Sequence, residues 1–106
     1  MRNEYGVLLD SNGYAPSIMP PHDGCFICGR EVETARHEIF HGPYRKTSKA
    51  LGLWVNVCPA CHQRIHECRD GLNNFLKYWG CRDAKLFYGW TDDEFRIRFG
   101  KDYWKE

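Results

Sequence analysis

What this chain has little of narrows it first. None of its apolar runs approaches the roughly 20 residues that a helix needs to cross a bilayer, so no membrane is expected as a partner. The opening stretch M-R-N-E-Y-G-V-L-L-D holds no apolar core and no cleavage-site pattern of a secretory signal, which points to a reducing, cytoplasmic compartment. A formal net charge of only +1 argues neither for nor against a nucleic-acid partner, so the distribution of charge has to be read instead. No strand-helix-strand pattern follows the C-x-x-C pair Cys25/Cys28, which argues against a thioredoxin-like redox role there. At 106 residues the chain is expected to be one domain, with room for a core but small enough to gain from a cross-link.

What is present is ligand chemistry. The six cysteines include two C-x-x-C pairs, Cys25/Cys28 and Cys58/Cys61. In a secreted protein they would read as disulfides; in a reducing compartment they read as metal ligands. Together they supply the four thiolates of a tetrahedral structural zinc site. The densest stretch, 57–66, is V-C-P-A-C-H-Q-R-I-H. Pro59 suits the first turn of a helix, which places His62 and His66 four residues apart on one helical face, able to grip a single ion. Cys61, Ile65 and Cys68 fall on the adjacent face, which makes Cys68 a small buried hydrophobe. Cys81 is read the same way. A finger built from Cys25, Cys28, His62 and His66 strands Cys58 and Cys61, whereas two separate ions leave neither pair unexplained.

The rest of the chain frames this cluster. The apolar run 5–9, the turn formers Asp10-Ser11-Asn12-Gly13 and the run 14–19 predict an N-terminal hairpin, followed by a proline-rich linker in which His22 is a plain surface residue. Ile39 and Phe40 favour a strand within 35–42, a loop with one helical turn of R-K-T-S-K-A comes next, and 53–57 predicts a second strand. Leu72, Phe75, Leu76 and Trp79 repeat as one apolar helix face, which Gly80 is expected to end. Thr91-Asp92-Asp93-Glu94 matches a capping box for a last helix carrying Phe95 and Phe99 and stopping near Gly100. The bases Arg96, Arg98, Lys101 and Lys105 share the segment 82–106 with six acids and read as a solvated face. Positive charge collects instead around the ligand-rich middle. Arg36, Arg45, Lys46 and Lys49 lie there with Glu38 as the nearby acid, a pattern suited to local phosphate contacts.

The order Cys-x-x-Cys, a strand ending in His37-Glu38-Ile39-Phe40, a second strand and Cys58-Pro59-Ala60-Cys61-His62 resembles the HNH endonucleases, in particular small phage-type members stapled by a four-cysteine zinc. The likeness covers 25–66. It implies an α+β fold whose ββα-metal (His-Me finger) core occupies 25–67, between the hairpin and linker at 1–24 and C-terminal helices at 68–106. It also implies metal-dependent hydrolysis of DNA phosphodiester bonds by a phage or prophage protein acting in a bacterial host cell. Carried over by position, His37, His62 and His66 hold a catalytic divalent ion (Mg²⁺, Mn²⁺, Ni²⁺ or Zn²⁺). Glu38 stands where the family usually has a histidine base, so Glu38, His37 and His41 are the candidates, in that order. Leu53 stands where the family often has asparagine, and Asn56 lies on the opposite face of a regular strand. These two departures keep open a second reading, a non-catalytic zinc-stapled module that binds nucleic acid or protein.

Overall fold

The structure is a computed structural model that describes residues 1–68 and 70–104; Lys105 lies outside them. Its sheet has two antiparallel strands, β1 (Ala35–Glu38) and β2 (Trp54–Val57). Ala35 faces Val57, His37 faces Val55 and Glu38 faces Trp54. Leu53, Val55 and Val57 are fully buried, so apolar and β-branched residues fix the inner face of β2. Cross-strand pairing turns His37 toward that same face.

The first strand is shorter than the sequence predicts. β1 ends at Glu38; the Ile39 N–H still donates across to Leu53 O at 3.0 Å, and Ile39 and Phe40 bury their side chains. The reason is local. The Leu53 N–H, which would return a ladder bond to Ile39, donates instead to Ser48 O at 2.9 Å, while the buried Ser48 hydroxyl accepts the Phe40 N–H at 3.2 Å and donates to Leu53 O at 2.6 Å. The chain then makes a 3₁₀ turn at Gly42–Tyr44 and a short helix α1 (Arg45–Ala50). After β2 comes α2 (Pro59–Glu67), with proline in its first turn as expected. Cys58 caps it, its sulfur accepting from the Cys61 N–H at 3.5 Å.

Helices α3 (Leu72–Tyr88) and α4 (Asp92–Phe99) complete a small α+β domain of two strands and four helices. The capping box is formed: Thr91 Oγ1 accepts from Glu94 N–H and the Glu94 carboxylate from Thr91 N–H. Phe95 and Phe99 close on Phe40, with ring centroids 5.4 and 4.5 Å away. The expected stop at Gly80 is corrected, because α3 runs two more turns and ends at Gly89. Gly80 is there for close approach. A Cβ on it would lie 2.9 Å from Cγ2 of Ile39, a residue with no exposed surface. Gly80→Ala should therefore lose about 1 kcal/mol in urea denaturation, since overpacking of about 1–3 kcal/mol outweighs the helix-propensity gain of about 1 kcal/mol. Of the predicted apolar face, Leu76 is buried but Phe75 is half exposed.

The N-terminal hairpin is also corrected. Its turn forms, with Asp10 Oδ1 accepting from Asn12 and Tyr14 N–H, but 5–9 and 14–19 make no paired strands. The second arm instead docks on the α1–β2 connection. Ala15 N–H donates to Lys49 O, Ile18 N–H to Gly52 O, and Trp54 Nε1 to Ala15 O. This brings Tyr14 to the mouth of the histidine cleft, a placement that the hairpin reading did not contain. No helix among the described residues is long and apolar enough to cross a membrane.

Candidate metal centres

Cys25 and Cys28 sit in a tight knuckle in which Gly29 adopts φ 75° and its N–H donates to Cys25 O. The Phe26 N–H donates to Asn56 O at 2.8 Å and so fastens the knuckle to β2. Cys58 and Cys61 meet it from the start of α2. The four sulfurs lie within 4.8 Å of one another, and all are free thiols. The Cys28–Cys58 separation of 3.8 Å is far beyond the roughly 2.05 Å of a disulfide. It equals the edge of a tetrahedron of roughly 2.3 Å metal–sulfur bonds. Electrostatics points the same way. Burial and the surrounding sulfurs push Cys61 up to about 12, while backbone N–H groups overcome the burial of Cys25 and bring it down to about 6. The group is thus a four-cysteine cluster whose composition and spacing suit a structural metal.

A second cluster lies on the other side of α2. His37 comes from β1, and His62 and His66 project from consecutive turns of the helix. Their ligating nitrogens lie within 4.8 Å of one another, with His37 5.3 Å from His62 and 5.9 Å from His66 between ring centroids. His37 is 2% exposed, and its Nε2 is buried with no hydrogen-bond partner among the described residues. Burial and the neighbouring imidazoles hold His37 down to about 4 and also lower His62. At neutral pH these rings present lone pairs, as an ion requires of them. An orphaned buried nitrogen facing two more imidazoles fits a divalent metal.

Around this triad is a cleft of about 510 Å³, also lined by Arg36, Glu38, His41, Gly42 and Arg45. Because β1 stops at Glu38, residues 37 and 38 both reach it despite strand alternation. Glu38 Oε1 accepts from Tyr14 OH at 2.9 Å and Arg45 Nε at 2.7 Å. Burial opposes its ionisation, but these two donors prevail and hold the carboxyl below its ordinary value. His41 is exposed, with Nε2 3.3 Å from Asn73 Oδ1 on α3. Arg36 reaches back to Asp10 at 2.7 Å, and Lys49 stands over the Tyr14 ring. Lys46, also predicted to touch phosphate, is exposed on α1 and does not line this cleft.

No family model, curated protein or solved structure matches this chain. What the two centres can do therefore rests on their own geometry. Tyr14 and Asn73 were not legible as partners of the site, since each meets a cleft residue, Glu38 or His41, from a remote element. Three smaller expectations change as well. Cys68 is exposed rather than buried, because it takes the left-handed turn that ends α2. Cys81 is buried as expected. His22 is no plain surface residue: its Nδ1 lies 3.1 Å from Pro20 O, and its Nε2 accepts the Asn56 N–H, capping the outer edge of β2. Leu53 is a core residue and Asn56 does not line the cleft, so neither supports a base there.

Proposed function

We propose that this protein is a metal-dependent DNA endonuclease of the HNH kind, with zinc on Cys25, Cys28, Cys58 and Cys61 and a catalytic divalent ion on His37, His62 and His66 in a ββα-metal arrangement. The observation that carries the reading is the buried, unpartnered Nε2 of His37, set against two further imidazoles in an open cleft with basic walls. A bound divalent ion there supplies positive charge to a phosphodiester and its leaving oxygen. Arg36 and Arg45 line the same cleft and hold the phosphate by charge-assisted hydrogen bonds.

The proton of the attacking water goes to His41. Glu38 is the weaker candidate, because two hydrogen bonds stabilise its ionised form and lower its basicity. His37 has its lone pair committed to the ion. His41 is exposed at the cleft with its Nε2 3.3 Å from Asn73 Oδ1; in the tautomer that donates to this oxygen, Nδ1 carries the lone pair. Glu38 then orients Arg45 and Tyr14.

A plasmid-nicking assay across Mg²⁺, Mn²⁺, Ni²⁺ and Zn²⁺ tests the function. Absence of cleavage in every metal by protein that retains its zinc would leave the alternative, a zinc-stapled binding module. Within the nuclease reading, His41→Ala is expected to slow cleavage about 10²- to 10⁴-fold, the usual worth of a general base, with thermal stability unchanged. A Glu38→Gln loss of that size with His41→Ala near wild type would reverse the assignment.

A further inference from the structure

Beside the histidine cleft lies a second one of about 400 Å³, lined by Asn12, Tyr14, Arg36, Arg45 and Lys49. The two share Arg36 and Arg45, so they open onto one continuous surface. The second is arranged for anions. The Arg36 guanidinium lies 4.3 Å from the Tyr14 ring centre and is held from behind by Asp10. Arg45 is held by Glu38. Lys49 Nζ sits 4.6 Å from the same tyrosine ring and has no ion-pair partner among the described residues. Two cations are thus oriented by acids and a third is left over, on a platform that the N-terminal turn delivers.

We infer that this cleft binds a second phosphate of the same nucleic-acid strand, the one flanking the phosphodiester at the histidines, with Lys49 as its specific contact and Tyr14 as the platform. The inference rests on the nuclease reading for which phosphate is cut, while the second subsite is a matter of binding alone. A substrate with a single phosphodiester reaches the histidines and leaves Lys49 unused. A longer strand engages both clefts and gains the counterion release of one further contact.

The test compares wild type, Lys49→Ala and Lys49→Arg, all zinc-loaded, by fluorescence anisotropy with two labelled probes: a dinucleoside monophosphate and a longer single-stranded DNA. Without added divalent ion, Lys49→Ala should weaken binding of the longer strand about tenfold, and the slope of log affinity against log salt should become shallower by about 0.7, the single-strand value for one phosphate contact. The dinucleotide should be unaffected, and Lys49→Arg should restore the longer strand. An unchanged salt slope in Lys49→Ala overturns the inference, as does an equal loss for both probes or a wild type that binds no DNA. The expected slope change in a protein that never cleaves would sustain this subsite while refuting the nuclease reading.

Discussion

Cys58→Ser is expected to unfold the domain. Serine is a good helix N-cap, so the substitution keeps a side-chain acceptor at the start of α2 and removes only a metal ligand. Structural zinc contributes on the order of 10 kcal/mol to small folds, while a domain of this kind has roughly 5–15 kcal/mol in all. Little else can replace it, because Cys58 joins the end of β2, the start of α2 and the knuckle fastened at Phe26. Far-UV circular dichroism and a zinc assay read the result together: purified Cys58→Ser should hold no metal and show no cooperative melt. A variant that is metal-free yet melts cooperatively within a few degrees of wild type would show that hydrophobic packing alone holds the fold.

His62→Ala should have the opposite profile, with structure kept and cleavage lost. His62 is partly exposed on α2, and alanine is the best helix former, so the change in stability should stay within about 0.5 kcal/mol. Removing a direct ligand should cost more than the 10- to 100-fold that loss of an outer-shell partner typically costs. In plasmid nicking with the best metal, the variant is therefore expected to fall more than about 100-fold below wild type. His37→Ala should lose activity too, but it is the less clean variant because His37 is itself buried, opposite Val55 in the strand pair. Wild-type cleavage by a well-folded His62→Ala would remove the histidine triad from the mechanism.

The ligand chemistry was legible in the sequence because spacing carries it. A C-x-x-C pair and an i, i+4 histidine pair fix which side chains share a face once the local element is known, and α2 began at Pro59 as expected. The capping box at Thr91 was equally local. What could not be read depends on remote contacts. Gly80 looked like a helix end, yet the neighbour that requires it is Ile39. Ile39 and Phe40 have strand propensity, but the Leu53 amide that would have continued the ladder donates to the backbone oxygen of buried Ser48. Asn73 meets His41 across 32 residues and Tyr14 meets Glu38 across 24, with no sequence period to announce either pair.

Cys61 and His62 are neighbours in the chain but serve different clusters, which makes α2 an angular ruler as well as a scaffold. Each residue of an α-helix advances by about 100°. One residue inserted between them would swing both histidines away from His37 and leave the sulfurs in place. The same insertion after His66 would disturb neither. Length in the first two turns of α2 is therefore held more tightly than composition: Gln63 and Arg64 can change, but the interval that they occupy cannot.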